Sequence, residues 1–211
     1  MAMEIPRLAC RRTVFGELSA DPSAAPWAGV APVTLREAVT AAEPRQRTWV
    51  RTAWSDEEWR VLFECEDADP WATLSERDAL LYEEETVEVF LDPAGDLECY
   101  FEIEVNPLGT VLDLVLRKSR SGYKADRAWQ CEGLRTLVRR HDGGWSAEMA
   151  IPFASVTNSP PRAGSRWRAN FCRIDRPSRD GTLPRELTSW SPPLRANFHT
   201  PERFGVIEFA G

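Results

Sequence analysis

The chain has no CxxC pair, no GxxxxGKS/T or GxGxxG loop, no GxSxG elbow, and only two histidines in 211 residues. Each absence removes a class of function. The five cysteines, Cys10, Cys65, Cys99, Cys131 and Cys172, are odd in number and widely scattered. That spacing indicates neither a zinc site nor a disulfide framework, and buried reduced thiols are the expectation. Without the glycine loops there is no backbone cradle for a nucleotide phosphate. His141 lies in a turn-like His-Asp-Gly-Gly, and no nucleophile setting accompanies either histidine. The net charge of −7 lacks the basic excess that a nucleic-acid surface needs.

Long apolar runs are also missing. No segment approaches the roughly 18 residues of a membrane-spanning helix, so no membrane partner is expected. The opening MAMEIPRLACRRTVFGEL has no apolar stretch of the secretory kind. As written the chain reads as cytoplasmic, and as extracellular or periplasmic if a leader has been trimmed.

What is present is alternation. Thr48 to Trp54 and Trp59 to Glu66 flank an acidic turn and read as a hairpin. Gly133 to Arg140 and Trp145 to Ile151 do the same around His141 to Gly144. Strands are also predicted over Thr86 to Asp92, Glu98 to Asn106, Thr110 to Arg117, Trp167 to Asp175 and Phe204 to Phe209. Ser119 to Gln130 reads as a loop or weak strand, and Val33 to Ala42 as a short strand or helical turn. Arg176 to Ser191 reads as a long polar loop. About nine strands with almost no helical periodicity predict an all-β fold, a single antiparallel β-sandwich. An N-terminal arm over residues 1–26 would precede one domain over 27–211. Nine tryptophans suit such a core, with one to three left for a binding face.

The densest chemistry lies between Asp67 and Asp92. A polar turn presents Trp71, then come Arg77-Asp78, Tyr82 and three glutamates, and finally a strand. Alternation puts Val87, Val89 and Leu91 on one face of that strand and Glu88 and Phe90 on the other. Glu88, Glu102, Glu104 and Glu148 each sit between apolar neighbours on alternating strands. If their faces coincide they form a carboxylate-bearing surface, with Arg51, Asn170 and Arg173 as partners. Such a face is either the solvated outside of a sandwich or a surface that hydrogen-bonds sugar hydroxyls. Two of Glu88, Glu102 and Glu148 could also serve as a glycosidase pair, if roughly 5–10 Å apart. Asp67, Asp69, Asp78 and Asp92 fall in turns, where oxygen ligands for calcium are usually presented, but without EF-hand spacing.

Six segments stand in an order that is more specific than any one of them. They are WATLSERD (71–78), YEEETVEVFLDP (82–93), YFEIEVNPLG (100–109), WSAEMAIPF (145–153), WRANFCRI (167–174) and FHTPERFG (198–205). This set resembles carbohydrate-binding module family 9 and its stand-alone relatives, over Trp27 to Phe209. The resemblance implies a DOMON-like, jelly-roll-like β-sandwich that binds saccharides without cleaving them. It implies two aromatic rings that clamp a terminal sugar, flanking polar groups, and structural calcium. The first ring position, six residues before the strand glutamate, falls on Tyr82 before Glu88. The second, ahead of the closing P-x-x-F-G, falls on Phe198. Both are smaller than the family's usual tryptophan, and Trp71, Trp190 and His199 are the further rings available. Three readings stay open: a saccharide-binding module, a glycan-processing enzyme, and an interaction domain that has exchanged sugar for a protein partner.

Overall fold

Alternating β-branched and aromatic residues dictate strands, and the computed structural model, which describes residues 3–211, forms fourteen of them among those residues. Strand β1 is Arg7–Arg12, and β2 (Val33–Thr34) and β3 (Arg36–Glu37) are two-residue pieces. The first hairpin is β4 (Thr48–Trp54) with β5 (Glu58–Glu66). A meander follows: β6 (Thr86–Asp92), β7 (Cys99–Val105), β8 (Val111–Ser119) and β9 (Gly122–Asp126). The second hairpin is β10 (Arg135–His141) with β11 (Gly144–Pro152). The chain ends with β12 (Arg166–Asp175), β13 (Glu186–Ser189) and β14 (Gly205–Ala210).

Nine of these are the strands expected from alternation. The other five, β1, β2, β3, β9 and β13, are short or polar, and pairing rather than pattern creates them. One continuous path runs β10-β11-β5-β4-β1-β14-β12-β6-β7-β8-β9 and curls so that its two halves face each other. The seam is β1, whose residues were expected to form an arm. It runs parallel to β14 over Arg7–Arg11 and parallel to β4 at Arg11 and Arg12, the exception in an otherwise antiparallel sheet.

The main core fills the space between the halves. Trp59 and Phe63 of β5 meet Trp167 and Phe171 of β12, with ring centroids about 6 Å apart. Val87, Val89 and Leu91 point into this space, as their alternation requires. Six of the nine tryptophans are buried, and a buried indole N–H wants an acceptor. Trp59 donates to the Thr52 hydroxyl and Trp54 to the Ala210 carbonyl, the latter at 2.9 Å. Four of the five cysteines are buried and all five are free.

The outward face of β6–β9 and β12 is not bare. Phe90, Tyr100, Leu112, Leu114, Cys172 and Phe204 form a second apolar cluster there. Loops around Leu81 and Phe198 partly cover it. Gly205, which starts β14, lies against the Trp190 indole, and a Cβ there would collide with the ring. That close approach explains the glycine of the Phe204-Gly205 pair.

Candidate functional site

The loops leave a cavity of about 600 Å³ on this outer face. Its floor is made by β6 and β7. Glu88 stands opposite Glu104 in register, and Glu102 opposite Phe90. Alternation puts all of them, with Tyr100, on the same side. The walls come from distant segments. A single helical turn, Leu81–Glu83, presents Tyr82, the β8–β9 hairpin presents Tyr123, and the loop before β14 presents Asn197, Phe198 and His199. The rings interlock: Phe90 packs against Phe198 at 6.3 Å and His199 at 5.6 Å, and Tyr100 against Tyr123 at 4.9 Å. The Tyr100 hydroxyl meets His199 Nδ1 at 3.0 Å.

Five of the sequence candidates therefore converge on one cavity: Tyr82, Glu88, Glu102, Phe198 and His199. Phe198 contributes mostly as a packed wall, being only 7% exposed. His199 next to it is far more open, and desolvation holds its pKa below the ordinary value.

The floor is electrostatically unusual. Glu88, Glu102 and Glu104 are 2%, 3% and 0% exposed. Neither carboxyl oxygen of Glu104, nor Oε1 of Glu88, has a hydrogen-bond partner. Burial first, and then the neighbouring carboxyls, push the pKa values of Glu88 and Glu104 well above the usual range. Burial also raises Glu102, to about 7, with the adjacent Glu104 carboxyl and then the Arg127 charge holding the rise back.

The other candidates lie elsewhere, each with a structural partner. Trp71 donates its indole N–H to the Arg176 carbonyl at 2.8 Å and pins that loop. Trp190 packs on Phe171 at 5.4 Å in the main core. Arg77 donates to buried Asp113 at 2.7 Å. Glu148 does not join the acidic face. It sits outside the other half of the sandwich, where the Ser19 and Ala20 amides donate to it, both at 2.9 Å, and Arg60 at 3.2 Å. The expected partners of the acids are likewise engaged: Arg51 with Glu64, and Asn170 with Ser189 and Ser191.

Arg173 faces the sandwich interior. It donates to Asp67 at 2.7 Å, to Asp175 at 3.1 Å and to the Glu66 carbonyl at 2.7 Å. Asp67, Glu85 and Asp175 place carboxyl oxygens within 4.8 Å of one another and are the described residues best grouped for a cation. Calcium needs about six to eight oxygens at 2.3–2.6 Å. Here two of the three carboxylates already hold a buried guanidinium, which would repel the ion. Burial and then Asp67 push the Glu85 pKa up to about 9. The cluster does not fit calcium; Arg173 is its cation. Of the remaining turn acids proposed for calcium, Asp92 caps the Gly95 and Leu97 amides, Asp69 pairs with Arg179, and Asp78 accepts from Gln130.

Sequence reasoning missed Tyr123, Arg127, Arg185 and Asn197, all of which line the cavity. Ser121-Gly122 was the available signal, a turn dipeptide that makes a hairpin of Ser119 to Asp126. Arg127 donates to the Tyr82 hydroxyl at 3.1 Å.

A family model described as carbohydrate family 9 binding domain-like matches residues 22–211. No curated protein matches the chain. Among solved structures, a protein of Bacteroides uniformis proposed to bind carbohydrate superposes with a TM-score of 0.79 at 18% identity, covering 98% of this chain and 100% of that one. A carbohydrate binding module family 9 from Caldicellulosiruptor kristjanssonii, in complex with cellotriose, gives 0.74 at 17% identity, covering 97% of this chain and 94% of that one. A family 9 module from the same organism in complex with glucose gives 0.70 at 17%, covering 97% and 96%. At such identities the likeness is one of fold.

Proposed function

Because this chain belongs to the carbohydrate family 9 binding domain-like family, we propose that it binds a saccharide, without cleaving it, in the cavity between Tyr82, His199 and the β6–β7 floor. The observation that carries this reading is the convergence of rings and buried carboxyls from five separated segments on one cavity. Its volume lies within the roughly 300–1,000 Å³ of small-ligand sites. Tyr82 and Tyr123 offer flat faces to the C–H side of a pyranose. Glu88 and Glu102 accept from hydroxyls, while Asn197, Arg127 and Arg185 donate from the rim. The family 9 module structures in complex with glucose and with cellotriose favour the same class of ligand.

The acids favour binding over hydrolysis. A glycosidase keeps one carboxylate ionised and raises the other. Here both cavity glutamates are raised, and Glu148 is on the opposite side of the sandwich.

Calorimetric titration with a panel of mono- and oligosaccharides tests the proposal. We expect saturable heat with at least one member, and roughly 5- to 30-fold weaker binding after Tyr82→Ala, the loss of one aromatic contact worth roughly 1–2 kcal/mol. Silence across the panel overturns the reading. Intrinsic tryptophan fluorescence is poorly placed to report binding, since no indole lines the cavity.

A further inference from the structure

Resting on the saccharide reading above, we infer that the occupant of this cavity carries a protonated amine, as an amino sugar does. The protein supplies its own comparison. Elsewhere each buried carboxyl group accepts at least one hydrogen bond, although one oxygen each of Glu85 and Asp113 is left over. Glu148 has Arg60 and two backbone amides, and Asp67 and Asp175 share Arg173. Asp113 has Arg77 and the Cys131 amide, and Asp92 has two amides. Even Glu85 takes the Trp71 amide.

The floor of the cavity breaks this pattern. Glu88, Glu102 and Glu104 gather three carboxyls with no guanidinium or ammonium hydrogen-bonded to any of them. Oε1 of Glu88, a side chain that lines the cavity and is 2% exposed, has no partner. The nearby cations are committed or peripheral. Arg127 is exposed and bonds Tyr82; Arg185 is exposed at the rim. His199 Nδ1 stays 3.9 Å from Glu102 and is engaged by Tyr100. Buried acids are retained without a partner only at a cost of several kcal/mol per ionised group, and a ligand that brings the missing charge removes it.

The walls point the same way. Tyr82, Phe90, Tyr123 and Phe198 line the same cavity as Glu88 and Glu102, and aromatic faces attract cations electrostatically. Rings around unpaired carboxyls form a cage for an ammonium group. A neutral pyranose would use the rings but would bring no cation to favour the ionised form of the raised carboxyls. Glu102, the least strongly raised of the three, is the carboxyl that ionises as the amine arrives.

The test compares three disaccharides by calorimetry near neutral pH: the glucosamine dimer, cellobiose, and the N-acetylglucosamine dimer. A charge-assisted hydrogen bond contributes about 1.5–3 kcal/mol, so the glucosamine dimer should bind at least about tenfold more tightly than cellobiose. Acetylation, which removes the charge, should abolish that advantage, and Glu88→Gln and Glu102→Gln should shrink the glucosamine-to-cellobiose ratio towards one. Cellobiose binding as tightly as the glucosamine dimer, or more so, overturns the inference and leaves the saccharide reading standing. Binding of no saccharide overturns both. If a glutamine variant fails to fold, the wild-type ratio alone decides.

Discussion

Replacing Glu102 with glutamine should make the protein more stable at alkaline pH, because the wild-type side chain is an acid that the fold prefers neutral. Burial raises its pKa from an ordinary 4.5 to about 7. At about 1.4 kcal/mol for each tenfold in the proton equilibrium, that rise corresponds to roughly 3 kcal/mol. The sign follows from linkage. Below about pH 4.5 the carboxyl is protonated in both folded and unfolded chains and costs nothing. As pH climbs through the window from about 4.5 to about 7, the unfolded chain releases the proton first, and stability falls. Above about 7 the loss is complete. Glutamine keeps much of the neutral shape and cannot ionise. Urea unfolding of both proteins at about pH 4 and about pH 8 gives a difference of differences that cancels the buried acids away from Glu102, while Glu88 and Glu104, raised in part by its charge, shift in the same direction. The variant should gain up to about 3 kcal/mol on wild type between the two conditions. Parallel stability curves would refute the reasoning, because they would mean that Glu102 titrates alike in folded and unfolded chains.

The Arg173 cluster yields a second test. Arg173→Ala strands Asp67 and Asp175 without their cation, a loss of about 3–5 kcal/mol. At about 2–4 °C per kcal/mol in a domain of this size, the melting temperature should drop by roughly 6–20 °C in a calorimetric scan. Wild type should melt at the same temperature in calcium and in chelator, whereas the Arg173→Ala variant should gain a calcium-dependent rise; a calcium-dependent wild type contradicts the fit worked out for this cluster. Gly205→Ala should cost about 1–3 kcal/mol through overpacking against the Trp190 indole. Adding Trp190→Leu should recover part of that cost in a double-mutant cycle, and strictly additive losses would disprove the contact.

Period-two alternation made the inner and outer faces legible. It put Val87, Val89 and Leu91 inward and aligned Glu88, Glu102 and Glu104 on one side, as the register of β6 and β7 requires. Alternation says which face of its own strand a residue takes, but not which sheet that strand joins. Glu148 therefore looked like a member of the acidic face, although β11 lies in the other half of the sandwich. Arg173 shows the complementary failure. A charged residue in a strand reads as outward, and nothing local reveals that Asp67 and Asp175 wait for it inside. Tyr82, Phe198 and His199 could be placed through the ordered family motifs. Tyr123 and Arg127 could not, because β9 is mostly exposed and exists by pairing with β8 rather than by its own pattern.

The parallel strand β1 has a consequence for the order of events during synthesis. Its main partner, β14, is nearly the whole described chain away, and its other contact is two residues of β4. A ribosome therefore releases β1 long before the neighbour that holds it exists. Until β14 emerges, the sandwich is open along one side, with most of β1 and the Arg166–Ala169 part of β12 lacking their partner there. Non-local pairings of this kind slow folding and leave strand edges exposed to other chains. The last strand of this sandwich to be made is the one that closes it.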